Sequence, residues 1–448
     1  MSQSLLDHPK ALALLADADV SATDVRGCQG RLERFLGRYL PLFYREEQRE
    51  LAGIVIGGKI SDLQRKTSEP IAHQAGRPRK PVQHFVGAGC WDDEAVQREL
   101  RRDVAERIGR ADGVLIVDPS AFPKKGTASC GVARQWCGRL GKLENCQVGV
   151  FLAYATAAGT ALVDRQLYLP TDWADDGERR SETHVPAEVV FQEKWRIGLD
   201  LIDRSRLELP CEWVVGDDEL GRANEFRQGL RGRKLRYVLD VPCNTLIRVL
   251  DEPLEPGKRR LPWRRVDDWA KAQPSRRWQR VDLGAGAKGP RVVRVLTGLV
   301  QTRDEDGRPG KIERVVVIRT IDREPQTWYA LSNAPQEVPV EKLTAVHGQR
   351  HEIEEALQVG KGEVGLNHYE VRSWVGWHHH MTLTLLAAWF LQTETARLGK
   401  KNPGADGAAD ASVGGPTAPA DTAPCPRDRR SDQPRAAPKR GSPHLSLV

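Results

Sequence analysis

The stretch GVLIVDPS, Gly113 to Ser120, places an acid at the end of a short apolar run. Val114 to Val117 reads as a strand, and Asp118 follows it directly. About a hundred residues later the pattern recurs: Trp213-Val214-Val215 leads into Gly216-Asp217-Asp218. Open α/β sheets keep their chemistry just outside the carboxyl ends of strands. Asp118 and Asp217 stand at such positions, with Asp218 as the rival of Asp217.

Working outward, residues 1 to about 108 read as helical. Ala11–Leu15 is a short apolar stretch, and Leu32–Leu42 mixes apolar with basic residues. Trp91–Ile108 has acids in its first turn and basic residues later, as a helix dipole favours. A basic connector, Arg77-Pro78-Arg79-Lys80-Pro81, lies between them. After Asp118, strands are expected at Gly131–Arg139 and Gln147–Thr156, with Gly138 and Gly141 as turn residues. A helical stretch at Arg222–Leu230 precedes a strand at Leu235–Val241. From 243 to 335 the pattern turns β-rich; Val292–Thr302 and Lys311–Ile321 form a hairpin across Asp304-Glu305-Asp306-Gly307. Helices return after Pro335, and Met381–Leu398 closes the globular part.

The last stretch is different. Residues 401–448 hold eight Pro, five Gly and nine Ala and almost no large apolar residue. Such a segment buries too little surface to offset its ordering entropy, so disorder is expected from 399 onward. Arg427, Arg429, Arg430 and Arg435 could hold DNA weakly.

A third acid sits in His347-x2-Arg350-x3-Glu354-x6-Lys361. On an ideal helix these four side chains fall within an arc of roughly 60°. Alone, this pattern reads first as an exposed helix with i,i+4 salt pairs. With Asp118 and Asp217 upstream, Glu354 becomes a third metal carboxylate, and Arg350 and Lys361 become phosphate contacts. Glu352 and Glu355 leave that face. Carboxylates, waters and phosphate oxygens are what Mg²⁺ takes, so two Mg²⁺ ions are expected, with Mn²⁺ able to substitute. Lys124 and Lys125, shortly after Asp118, would neutralise backbone phosphates.

Net charge is +7 over 448 residues, and Lys258–Arg280 alone contributes nine basic residues against two Asp. Trp263, Trp269 and Trp278 interleave there with Arg264, Arg265, Arg276 and Arg277. Cations meet phosphates and indoles stack on unpaired bases, so DNA contact is expected. Eight scattered cysteines form no C-x-x-C pair, which argues against a zinc ribbon. The adjacent His378-His379-His380 point in different directions on a helix and do not make a metal site. No apolar stretch reaches the length of a membrane span, and no basic-then-apolar leader opens the chain. A cytoplasmic, nucleoid-associated protein is expected.

These residues resemble the DDE transposases of bacterial insertion sequences, in the group with a Y-x2-R-x3-E-x6-K signature, and within it the insertion-sequence 701 type. His347 stands where that family commonly has tyrosine, and Leu220 where an aromatic is common. Other matching segments are VLIVDPSAFPKKGTASCGVARQWCG (114–138), NCQVGVFLAYAT (145–156), LVDRQLYLPTDW (162–173), WVVGDDELGR (213–222), YVLDVP (237–242) and GLNHYEVRSWVGWHHH (365–380). The resemblance spans residues 30 to 396.

It implies an α/β, ribonuclease-H-like mixed-sheet core interrupted by a β-rich insertion. The expected organisation is a helical DNA-binding region (1–108), the first part of the core (109–242), the insertion (243–335), the helices bearing Glu354 (336–398) and the tail (399–448). It also implies metal-dependent hydrolysis at element ends, then attack of the freed 3′-hydroxyl on target DNA, by a homodimer assembled on double-stranded DNA. Asp118, Asp217 and Glu354 match the catalytic acids; Arg350 and Lys361 match the basic signature residues. A tryptophan of the insertion, Trp263, Trp269 or Trp278, would receive a flipped base. Two other functions remain open: a catalytically inactive transposase-derived DNA-binding protein, and another ribonuclease-H-like nuclease.

Overall fold

A computed structural model describes residues 26–398, except 255–256, 258, 287–288 and 304–306. The expected tail, the Ala11–Leu15 stretch and most of the 304–307 turn lie outside the described residues.

Among the described residues, five α-helices precede the first strand: α1 Cys28–Tyr39, α2 Glu46–Ile60, α3 Ser68–Gln74, α4 Arg79–Gly87 and α5 Asp93–Ile108. The Asp92 carboxylate caps α5 by accepting from the Ala95 N–H, and Asp93 and Glu94 follow in its first turn. The basic connector is not a loop: Pro78 is the N-cap of α4, and Pro81 lies in its first turn, where a missing N–H goes unfelt.

The sheet follows as β1 Val114–Pro123, β2 Ala133–Cys137, β3 Lys142–Thr156, β4 Gly159–Leu167, β5 Trp213–Gly216 and β6 Arg236–Asp240. Between β4 and β5 come two short helices, Thr171–Ala174 and Gly177–Glu182, and then α6 Lys194–Ser205; α7 Asp218–Arg222 and α8 Asn224–Gly232 connect β5 to β6. β3 pairs antiparallel with both β4 and β1; β1 then pairs parallel with β5, and β5 with β6. The order β4-β3-β1-β5-β6, three antiparallel strands and then two parallel ones, is the ribonuclease-H-like arrangement.

The β-rich segment holds β7 Leu246–Val249, β8 Arg264–Arg265, α9 Val266–Ala272, β9 Gln279–Gly286, β10 Gly289–Arg303, β11 Pro309–Thr320 and β12 Thr327–Ser332. β10 and β11 form the expected antiparallel hairpin. β12 hydrogen-bonds to β6, with Ala330 opposite Asp240, so the segment prolongs the core's own sheet to twelve strands. It keeps a separate small core around Trp269, Val249, Leu296, Val315 and Val317.

Three helices end the described chain: α10 Val340–Gly348, α11 Arg350–Gly362 and α12 Trp374–Leu398. α12 begins seven residues earlier than its apolar run suggests and carries the three histidines into the interior. It packs on β4 and α2 and is buried almost all round through Phe390. Each fully buried Leu or Met of this helix contributes about 1.5–3 kcal/mol. Gly149 on β3 permits the close approach, since a Cβ there would lie 2.8 Å from the Trp377 ring.

A buried ionic knot ties the N-terminal helices to the sheet. Asp164 of β4, fully buried, accepts from Arg101 Nη1 of α5 (3.1 Å) and from Arg204 Nε of α6 (2.7 Å). Burial alone would raise the Asp164 pKa, but Arg204, Arg101 and Arg165 outweigh it and hold the carboxyl below its usual value.

Candidate active site

β1 does not stop at Asp118. It continues to Pro123 against β3, while its parallel pairing with β5 ends at Val117 opposite Gly216. The chain leaves β5 because Asp217 turns to cap α7, its Oδ1 accepting the Leu220 N–H at 3.0 Å. Asp118 and Asp217 therefore each follow the last paired residue of two adjacent parallel strands. The next strand, β6, also ends in an acid, Asp240.

Across β1, β5 and β6, the residue that follows the last parallel-paired position is thus an acid each time. Sequence reasoning missed the third, although YVLD, ending in Asp240, has the same form as VLIVD and VVGD. Gly221 brings α7 against this strand end: a Cβ on it would sit 1.8 Å from the Asp240 carbonyl oxygen. Leu220, beside it, is fully buried.

The signature residues do not share one unbroken helix. α10 ends at Gly348 and α11 begins at Arg350, with Gln349 as the junction. Asp240 bridges the break. His347 Nε2 lies 2.7 Å from Asp240 Oδ1, and Arg350 Nε lies 3.1 Å from Asp240 Oδ2. Arg350 Nη1 also donates to Glu354 Oε1 at 2.6 Å, and His351 Nδ1 lies 3.2 Å from Glu354 Oε2. Lys361 points along β1 instead, its Nζ donating to Ser120 Oγ at 2.9 Å.

The electrostatics separate these acids. Burial, then the charges of Asp217 and Glu354, pushes Asp118 up to about 7 against the pull of Arg350 and Lys361. Burial also pushes Asp217 up, to about 6; Glu219 and Asp218 add to it, while the Leu220 N–H and Arg350 oppose it. Glu354 is held below its usual value, first by its hydrogen bond with His351 and then by Arg350. Burial would lower the Arg350 pKa, but Asp240, Glu354, Asp118 and Asp217 together raise it.

Two buried carboxylates whose pKa values are both raised favour an added positive charge, and a divalent cation would supply it. Asp118 and Asp217 fit such an ion in placement and charge. Among the described residues no three His, Cys, Asp or Glu side chains converge on one point, and Glu354 is engaged by Arg350 and His351.

The other sequence candidates are dispersed. Lys125 is exposed, whereas the Lys124 ammonium lies over the Tyr369 ring, 3.4 Å from its centroid, and burial brings its pKa down to about 8. Trp269 is fully buried, with its Nε1 donating to Glu252 Oε1 at 2.8 Å. Trp263 is half-buried between the guanidiniums of Arg248 (4.4 Å) and Arg303 (4.8 Å), and Trp278 lies under Arg319 at 4.4 Å. Arg264 reaches Glu252, Arg265 reaches Asp267, Arg277 reaches Gln273, and Arg276 is exposed.

The three histidines of α12 are buried and do not converge. His378 meets the Trp374 carbonyl, His379 stacks on Trp91 and His380 faces Lys59. Burial pushes His378 down to about 3 and His379 to about 4. No described helix is long and apolar enough to cross a membrane.

Residues 38–299 match the family model described as DDE superfamily endonuclease. That span contains Asp118, Asp217 and Asp240 and ends before Glu354. The chain is 25% identical over 332 residues to the probable transposase for insertion sequence element IS701 of Microchaete diplosiphon, covering 71% of this chain and 77% of that protein. A solved structure, the NurA nuclease from Sulfolobus solfataricus, aligns with 56% of this chain and 79% of its own at 9% identity. Its TM-score of 0.24 is too low to imply a common fold.

Proposed function

The chain belongs to the DDE superfamily of endonucleases, and from that premise we propose that it is an insertion-sequence transposase of the 701 type. It hydrolyses a phosphodiester at each end of its element, leaving a 3′-hydroxyl. That hydroxyl then attacks a target phosphodiester, forming one P–O bond as another breaks. The observation that carries this reading is the pair Asp118 and Asp217, each just past the end of the parallel pairing of β1 with β5, with both pKa values raised.

In this proposal Asp118, Asp217 and Glu354 hold divalent metal, two Mg²⁺ ions, with Mn²⁺ substituting. Bound ions activate the attacking oxygen and stabilise the leaving one. Asp240 fixes Arg350 and His347 beside the carboxylates. Arg350 trades Glu354 for a DNA phosphate when the strand enters, and Lys361 offers a second cation from Ser120. The insertion contacts DNA through its basic and indole side chains, and two copies act together on paired ends within the nucleoid.

The test is incubation with Mg²⁺ and duplex DNA carrying the element's terminal repeats. Strand cleavage that disappears in Asp118→Ala is expected. Absence of cleavage, or cleavage undiminished by that substitution, overturns the reading. A second reading, a DNA-binding derivative that no longer cuts, is favoured by the engagement of Glu354 with Arg350 and His351. Specific binding of the ends without cleavage would support it.

A further inference from the structure

A cavity of about 180 Å³ lies away from the acidic strand ends, between α2, α4, the entry to α3 and the segment leading into α12. Lys59 and Lys66 line it with His368 and His380, and exposed Gln83 and Glu370 open it to solvent. Lys59 is 1% exposed and Lys66 5%. Among the described residues the Lys59 ammonium has one hydrogen-bonding neighbour, His380 Nδ1 at 3.4 Å. His380 Nε2 faces the Leu366 carbonyl at 3.3 Å, so its proton sits on Nε2 and its Nδ1 lone pair meets the lysine. The Lys66 ammonium donates to the Ser61 carbonyl.

Neither lysine has a carboxylate within ion-pair distance among the described residues. The nearby acids are committed or distant: Glu370 pairs with Arg65 at 3.4 Å, and Glu363 and Asp62 act on Lys66 only through space. Buried cations are ordinarily paired, because an unpaired charge loses its hydration with nothing in return. Burial, and then Lys66, brings Lys59 down to about 7. Burial, then Lys59, Arg65 and Lys66, lowers His368 as well. Positive groups crowd one solvent-connected cavity that has room for an anion of several heavy atoms.

We propose that this cavity binds a phosphate group through Lys59 and Lys66. Its position favours DNA as the source. Tyr369, on its wall, carries Lys124 on its ring, and Lys124 follows Asp118 by six residues, roughly 20 Å of extended chain. With Lys361 on Ser120, cations step away from Asp118 along β1 toward the cavity. A strand rising about 3.4 Å per nucleotide would cover that distance in about six nucleotides. The DNA source rests on the endonuclease reading above; the phosphate site does not.

The experiment uses the full chain. Thermal unfolding is followed in sodium chloride and in inorganic phosphate at matched ionic strength, for wild type, Lys59→Met and Lys66→Met. Phosphate should raise the wild-type midpoint by several degrees. Lys59→Met should be no less stable than wild type in chloride and should lose the phosphate response. Lys66→Met should weaken that response, and it carries the test if Lys59→Met does not fold. No wild-type shift, or a shift kept in both variants, overturns the site.

A second arm measures binding of a duplex oligonucleotide without divalent metal across a salt series. Loss of about 0.9 in the log–log salt slope in Lys59→Met supports a DNA phosphate. An unchanged slope with the phosphate response lost overturns DNA as the source and leaves a free phosphate-bearing ligand. A wild-type protein that responds to phosphate but never cuts element ends would sink the transposase reading alone.

Discussion

His347 and Asp240 lie 2.7 Å apart, joining the helix break before α11 to the end of β6. The same carboxylate lies 3.1 Å from Arg350, so one acid holds two residues of the signature in place. An imidazole N–H and a phenol O–H can both donate to a carboxylate, which explains how histidine stands where tyrosine is common. His347→Tyr should therefore keep cleavage within about threefold, whereas His347→Ala and Asp240→Ala should lose on the order of 10–100-fold, the range typical of partners that orient site residues. The loss should appear in the cleavage rate at saturating DNA. Equal loss from His347→Tyr and His347→Ala would refute the shared role.

Metal and pH should act on stability through Asp118 and Asp217. Both have folded pKa values raised above their unfolded ones, to about 7 and about 6. A raised carboxyl contributes stability that is complete below its unfolded pKa and is lost as pH rises through the folded value. Metal-free protein should thus lose stability between about pH 4 and pH 7. Asp118→Asn should flatten that decline, because an amide does not titrate. Adding Mg²⁺ at pH 8 should raise the wild-type melting temperature and leave Asp118→Asn and Asp217→Asn nearly unmoved. Melting curves with and without chelator across pH check this; a metal shift that survives in both variants would count against the site.

How much of this was legible in the sequence depended on locality. Asp118 and Asp217 could be read because each ends its own apolar run, and a run ending in an acid is a local pattern. Asp240 has the same pattern in YVLD, but nothing in the sequence says that β6 lies beside β5 or that His347 will reach it across 107 residues. The helix pattern placed Glu354 on one face with Arg350 and Lys361. It could not show that Gln349 divides the helix or that Lys361 turns to Ser120. The tryptophans of the basic segment look alike in sequence, and only the small core of the insertion distinguishes Trp269 from Trp263. The early start of α12 was hidden because histidines read as polar, whereas here burial keeps them neutral.

Asp164 should be among the least replaceable residues outside the site. It is fully buried and meets Arg101, Arg204 and Ser205 from two helices. Removing one member of such a group strands buried cations, at a cost of about 3–5 kcal/mol. Asp164→Ala should lower the melting temperature sharply. Because its net pKa shift is downward, its contribution should fade as pH falls below the ordinary carboxylate range, so the gap between wild type and Asp164→Ala should narrow in acid. A gap that stays constant as pH falls from about 5 to about 2 would argue that packing, not charge, is what the substitution removes.

Trp263 and Trp269 should separate binding from folding within the insertion. Trp269 is fully buried, and its indole N–H is bonded to Glu252, so Trp269→Ala should cost about 3–5 kcal/mol and unfold the small core around it. Trp263 is half-buried between Arg248 and Arg303 and contributes about 1 kcal/mol through those cations. Trp263→Ala should lower the melting temperature by no more than a few degrees. If an unpaired base stacks there, affinity for a single-stranded oligonucleotide should fall by about 1–3 kcal/mol, roughly 5- to 150-fold. Fluorescence anisotropy beside a thermal melt on each variant reads both quantities. An unaltered affinity in Trp263→Ala would exclude this indole as the base platform and move attention to Trp278, which lies under Arg319 of β11.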